Sequence, residues 1–257
     1  MIFAKKSLGQ NFLHDQNIIN KIINILEIRN RNILEIGPGN GSLTEKIIKK
    51  KPRSIILIEK DTVLFNKLRE KYEKYNFIKI YNLDVLKIKI EKIIKEKTII
   101  FGNLPYNISS QILIKLIKFN TWPPKYSDLI LMFQKEVADK IIGKSYGRLS
   151  IISNYRLNFK NKFDISPNCF FPKPKVISTL IHLKPSKRKK IKIKRLENLE
   201  KITILFFSNK RKMINKNLKK VLNKSQLNNI KNLDLKKRPT EYGPSFYFKV
   251  VELFENK

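Results

Sequence analysis

Apolar residues follow two alternating rhythms along this chain. Five short runs, at residues 32–36, 54–58, 77–81, 98–101 and 129–133, are dense in Ile, Leu and Phe and read as buried strands. Between them, apolar positions three and four apart predict helices over 16–26, 42–50, a segment opened by Asp61, 109–119 and 135–142. Asp15 is placed to cap the first helix, whose Ile18, Ile19, Ile22, Ile23 and Leu26 share one face. Strands alternating with helices predict an α/β fold with a parallel sheet covered on both faces. Residues 158–165 and 176–184 read as two further strands. The Pro-rich link Phe170-Phe171-Pro172-Lys173-Pro174 is too short for a crossover helix, so an antiparallel edge pair is expected. Beyond the polar stretch 185–190, helical spacing recurs over 196–207, 213–222, 226–233 and 244–254, the last opening on a proline suited to a first turn. The expected division is residues 1–185 and a small all-helical domain, 186–257.

Composition narrows the partners. With 257 residues, 42% of them apolar, the chain can bury a large core. It carries 55 Lys and Arg against 21 Asp and Glu, a formal charge of +34, which predicts a polyanionic partner. Part of the Lys excess accompanies the Ile and Asn richness of a low-GC coding bias. The charge is uneven, however: residues 185–257 hold 21 basic and 6 acidic side chains, about twice the net density of the preceding 184. That concentration favours a binding surface. No apolar run is long enough to suggest a transmembrane helix, and the N-terminus turns polar at Lys5-Lys6, so a cytoplasmic protein with no membrane association is expected. The single Cys169 and the separated His14 and His182 predict neither a disulfide nor a metal site.

Candidate chemistry gathers at the carboxyl ends of the predicted strands. The first runs into Gly37-Pro38-Gly39-Asn40-Gly41 and then a helix. A dinucleotide fingerprint would place its third glycine where Ser42 stands, and Pro38 lacks a backbone donor for a phosphate cradle. This loop suits S-adenosyl-L-methionine, which has no phosphate, better than NAD. Glu59 ends the second strand and is placed to accept both ribose hydroxyls. Asp84 follows the third strand and is placed to accept from the adenine amine. Either acid alone would also fit a solvated loop.

Asn103-Leu104-Pro105-Tyr106 follows the fourth strand. A turn with a buried Tyr would look the same, but the group has a specific use. An amine conjugated to a ring is a poor nucleophile because its lone pair is delocalised. Methylating it requires acceptors for its hydrogens and an aromatic face against the ring. The Asn103 amide oxygen and the Leu104 carbonyl supply the first, and Tyr106 the second. The pattern is known in amino-methyltransferases.

Taken together, these residues resemble the KsgA/RsmA family of small-subunit rRNA adenine-N6,N6-dimethyltransferases. The matching segments are Leu8-Gly9-Gln10-Asn11-Phe12-Leu13, Glu35-Ile36-Gly37-Pro38-Gly39, Glu59, Asp84, Gly102 to Ile108, Gln134 to Ala138, Tyr146 to Ser150, and Phe170 with Pro172, Pro174 and Val176. In the tail, Phe207 with Asn209-Lys210-Arg211-Lys212 resembles the family's phenylalanine and basic run. The resemblance implies a Rossmann-like, class I SAM-dependent methyltransferase with a basic C-terminal helical RNA-binding domain. It implies cofactor contacts from Asn11, Leu13, Gly37, Glu59, Asp84 and Asn103, with the QNFL segment as a lid. Asn103, Leu104 and Tyr106 would hold the target adenine, and Phe170 would be the second aromatic beside it, although the adjacent Phe171 leaves open which ring faces the base. The implied reaction is dimethylation of two adjacent adenosines near the 3′ end of 16S rRNA, on a pre-assembled small ribosomal subunit, by a monomer. Two alternatives remain: a large-subunit rRNA methyltransferase of the erythromycin-resistance type, and a non-catalytic ribosome-assembly factor that binds RNA.

Overall fold

A computed structural model describes residues 9–187 and 191–256. Leu8 of the N-terminal motif and Arg188, Lys189 and Lys190 of the basic connection lie outside them. The chain divides into two compact units, Met1–Ala138 with Phe159–Pro185, and Asp139–Asn158 with Ser186–Lys257.

The first unit begins with a short strand, β1 (Phe12–Leu13), and helix α1 (Gln16–Ile23). Then come β2 (Asn32–Ile36), α2 (Ser42–Lys49), β3 (Ser54–Glu59), α3 (Thr62–Tyr72), β4 (Ile78–Asn82), β5 (Thr98–Asn103), α4 (Ser109–Ile117) and β6 (Tyr126–Gln134). Helix α5 (Lys135–Ile141) follows, and β7 (Leu157–Ile165), β8 (Phe170–Phe171) and β9 (Ser178–Pro185) complete the strands. Local chemistry sets the helix starts as expected: Asp15 accepts from Ile18 N at 2.9 Å, and Asp61 from Val63 N at 2.9 Å.

Seven strands form one sheet in the order β4-β3-β2-β5-β6-β9-β7. Neighbours from β4 through β6 run parallel, and β9 runs antiparallel to β6. The late strands therefore lie at one edge, with β9 slotted between β6 and the outermost β7. The burial of β9 explains this order: Ser178 to Leu183 are all buried, whereas β7 exposes much of its length. Connections leave β2 and β5 in opposite directions, which opens a crevice at their carboxyl ends. Register aligns those ends, pairing Ile36 with Ile58 and with Gly102, and Glu59 with Asn82. A separate two-stranded ribbon pairs β1 with β8.

In the second unit, helix α6 (Arg148–Arg156) packs on α7 (Leu196–Phe207) and α10 (Pro244–Glu255), with α8 (Asn215–Val221) and α9 (Lys224–Asn228) completing it. The units part between Pro185 and Ser186 as expected, but residues 139–158, expected in the first domain, group with the helices. Sequence periodicity missed α6 because Ser150, Ile151, Ile152 and Ser153 are all buried, which leaves no one-sided stripe to read. The unit's core is built on Phe206, Val250, Val251 and Tyr247, whose hydroxyl donates to Pro239 O at 2.6 Å. The Glu255 carboxylate accepts from the Lys194 and Arg195 amides at 2.6 and 3.0 Å, capping an α7 that has no side-chain cap of its own.

Gly41 precedes α2 with φ +82°, and a Cβ there would meet the Tyr72 hydroxyl at 2.5 Å. Gly41→Ala combines left-handed strain with that clash, so it is expected to destabilise the protein by about 1–3 kcal/mol, read as a lower urea midpoint at unchanged slope.

Candidate active site

A cleft partly open to solvent lies at the carboxyl edge of the sheet. Asn11, Leu13, Gly37, Glu59, Asp84, Asn103, Leu104 and Tyr106 all line it. Its walls are the ends of β2, β3 and β5, the segment after β4, and the chain leading into β1.

The glycine loop is closed on itself. Gly37 N donates to Ile58 O at 2.9 Å, Gly41 N to Pro38 O at 2.9 Å, and Gly39 N to the Glu59 carboxylate at 3.1 Å. Pro38 has no N–H to give. The glycine amides that would hold a phosphate are therefore spent inside the fold. Glu59 is buried, and its other oxygen accepts from Asp61 N at 2.9 Å. Desolvation raises its pKa, and these backbone bonds restrain the rise. Each carboxylate oxygen accepts more than one bond, so Glu59 keeps capacity for a ligand.

A second buried acid lines the cleft. Glu35 is 3% exposed and accepts from the Thr44 hydroxyl at 2.6 Å. Burial pushes its pKa up to about 7, with Glu59 adding repulsion. Two buried acids lining one cleft favour a cationic ligand. An acid inside the apolar run Ile33-Leu34-Glu35-Ile36 was a usable sequence signal, since such a group is buried only for a reason. Asp84 behaves differently. Burial would raise its pKa, but the Leu86 N–H at 2.9 Å and the Lys60 ammonium at 3.0 Å hold it below the usual range.

The segment before β1 straps the cleft. Asn103 Nδ2 donates to Asn11 O at 2.8 Å, which orients the amide and leaves its oxygen as the acceptor. A Cβ on Gly9 would meet Asn107 Oδ1 at 3.3 Å, and one on Gly39 would meet the Phe12 ring at 2.9 Å. Strap, glycine loop and Asn103-Leu104-Pro105-Tyr106 are therefore in mutual contact. The Tyr106 hydroxyl bonds the Ser178 hydroxyl, and burial raises the phenol's pKa. Neither the Phe12 contact nor the Ser178 partner was read from sequence, because both depend on distant segments meeting.

One expected site residue is placed elsewhere. Phe170 is 3% exposed, packs in the hydrophobic core and is absent from the cleft lining. Its neighbour Phe171 is 65% exposed. Pairing explains the difference: Phe170 lies opposite buried Leu13, and successive residues of a strand point to opposite faces.

A closed glycine loop, acids at two strand ends and an oriented Asn103 suit a sulfonium nucleoside and a ring amine, and comparison with known proteins agrees. The family model described as ribosomal RNA adenine dimethylase matches residues 2–254. The chain belongs to the ribosomal RNA adenine dimethylase family. It is a SAM-dependent rRNA adenine dimethyltransferase. Among its relatives, a protein of Pelagibacter ubique named ribosomal RNA small subunit methyltransferase A is 46% identical, covering 98% of this chain and 97% of its own. One of the same name from Francisella tularensis subsp. novicida is 40% identical over 87% of each. A dimethyladenosine transferase from Plasmodium falciparum superposes with a TM-score of 0.75 at 24% identity, over 95% of this chain and 97% of that one. The 23S rRNA methyltransferase ErmE gives 0.74 at 24%, over 95% and 100%. These two structures establish the Rossmann-like fold.

Glu35 yields a test of the cleft's electrostatics. Between pH about 4.5 and 7 the native protein keeps a proton that the unfolded chain has lost, so this group's contribution to stability falls as pH rises. Glu35→Gln retains an acceptor for Thr44 and abolishes the titration. Relative to wild type, its unfolding free energy is expected to rise by on the order of 3 kcal/mol between pH 5 and 8 without cofactor, measured by urea denaturation.

Proposed function

We propose that the enzyme dimethylates the N6 amines of two adjacent adenosines near the 3′ end of 16S rRNA, acting as a cytoplasmic monomer on an assembled small ribosomal subunit. The observation that carries the reading is the Asn103 amide, oriented by the Asn11 carbonyl so that only its oxygen is left to accept from N6. The small-subunit choice over the large-subunit alternative is supported by the name of relatives at 40–46% identity across most of the chain.

In this reading Glu59 accepts the ribose hydroxyls of S-adenosylmethionine, Asp84 the adenine amine, and Gly37 lets the ligand approach the end of β2. Asn11 and Leu13 cover it. Asn103 Oδ1 and the Leu104 carbonyl take the two N6 hydrogens, and Tyr106 stacks on the target base. When bound, S-adenosylmethionine would supply the methyl group: an N6–C bond would form as the S–C bond breaks to leave S-adenosylhomocysteine, and the N6 proton would pass to water. Dimethylation would take two donor molecules. Positioning supplies most of the rate, as effective molarity is worth roughly 7–11 kcal/mol. Unstacking the adenosine costs a few kcal/mol, least in a loop or single strand.

The helical unit supplies RNA affinity in this reading. Asn209, Lys210, Arg211 and Lys212 are all exposed. Ile214 N donates to Lys237 O at 2.9 Å, which brings exposed Lys236, Lys237 and Arg238 beside them. The two basic runs make one surface suited to phosphates.

Asn103→Ala is expected to retain the fold and most RNA affinity while slowing single-turnover methylation of small subunits about 100-fold or more, the scale of losing one preorganised transition-state bond. A near wild-type rate would remove Asn103 from the chemistry. Neutralising Lys210, Arg211 and Lys212 together should flatten the slope of log affinity against log salt by about two to three and leave S-adenosylmethionine affinity unchanged. Coincident slopes would move the docking surface elsewhere.

A further inference from the structure

The β1–β8 ribbon has two faces. Leu13 and Phe170 oppose each other, and both are buried in the core of the first unit. Phe12 and Phe171 oppose each other on the other face. Phe12 rests against Gly39 and lines the cleft. Phe171 is therefore presented beside the cleft's strap, with 65% of its surface free.

The loop it begins is built for contact. Pro172, Lys173, Lys175, Val176 and Ile177 are exposed, while Pro174 is buried and anchors the middle. Its far end is fixed twice: Ile177 O accepts from Lys135 N at 3.0 Å, and Ser178 bonds the Tyr106 hydroxyl. The loop thus runs from the cofactor strap to the partner of Tyr106. Residues 165–178 contain no acid. A large ring free to solvent beside two ammonium groups matches single-stranded nucleic acid, where bases stack on aromatics and cations follow the backbone.

We propose that this loop is a specificity contact of the first unit: Phe171 stacks on an unpaired base next to the target adenosine, and Lys173 and Lys175 hold the flanking phosphates. The inference rests on the rRNA-methylating activity and assigns a role to a residue outside the methyl-transfer machinery.

The test uses the full chain as wild type, Phe171→Leu, Phe171→Trp and the double variant Lys173→Gln with Lys175→Gln. Substrates are small ribosomal subunits from cells lacking the methyltransferase, and protein-free small-subunit rRNA. Phe171→Leu should raise about tenfold both the half-saturating concentration for methylation of small subunits and the dissociation constant for protein-free rRNA, with the saturating single-turnover rate on subunits within about twofold. Phe171→Trp should match wild type, because an aromatic face is retained. The lysine double variant should flatten the salt slope by about one to two. S-adenosylmethionine affinity should be the same for all four proteins. Wild-type behaviour of Phe171→Leu overturns the proposal, as does equal weakening of the Leu and Trp variants, which would mean packing and not stacking. Weakening on intact subunits but not on free rRNA would assign the loop to a ribosomal protein and overturn the RNA contact. Failure of the wild type to methylate small subunits would overturn the small-subunit reading, while binding titrations with the same variants would still decide Phe171.

Discussion

A buried carboxylate at the end of β3 organises this molecule. Glu59 loses its water on folding and must be answered by backbone donors, and it takes the amides of Gly39 and Asp61. Those two bonds draw the glycine loop toward β3 and hold the start of α3. With the Gly37 and Gly41 amides also spent on carbonyls, the loop has few donors left for a phosphate. It presents carboxylates and close-packed backbone instead. In the proposed reading, a preference for a phosphate-free, positively charged nucleoside follows from how this acid is satisfied.

The same economy of partners governs the reacting end. An Asn amide can turn either its oxygen or its nitrogen to a ligand. In this structure the nitrogen is occupied by a carbonyl 92 residues away in sequence, at Asn11. The segment before β1, which lines the cleft, therefore also orients Asn103, and in the proposed reading this links cofactor enclosure to the acceptor. Phe12 against Gly39 adds a packing contact between strap and loop. A chain that left the strap undocked would have an Asn103 without a defined orientation.

The two units divide their physics. The first is a sheet with a core rich in Ile, Leu and Phe, and its cleft-lining acids Glu35 and Glu59 are buried toward the carboxyl edge. The second packs α6, α7 and α10 around aromatic residues and carries exposed Lys and Arg runs at its surface. Long-range attraction by many cations asks little of geometry, whereas holding an amine for in-line attack asks for fixed bonds. In the proposed reading, the exposed basic runs of the helical unit serve the first demand and the sheet edge serves the second.

What the sequence determined by itself was local. Runs of Ile and Leu marked β2, β3, β5 and β6, because a strand buried on both faces has no other composition open to it. Asp15 and Asp61 announced their helices, and the glycine spacing with Glu59, Asp84 and Asn103 placed the cleft, since each sits at a strand end that a parallel sheet brings to one edge. Tertiary structure decided what local pattern does not encode. Helix α6 buries four consecutive residues, Ser150 to Ser153, and joins the second unit. Strand β9 enters the sheet ahead of β7 because its burial demands two neighbours. Phe170 turns into the core and Phe171 out to solvent because β1, far away in sequence, pairs with that dipeptide and sets its faces. Identical residues side by side carry no local difference, and only the partner strand breaks their symmetry.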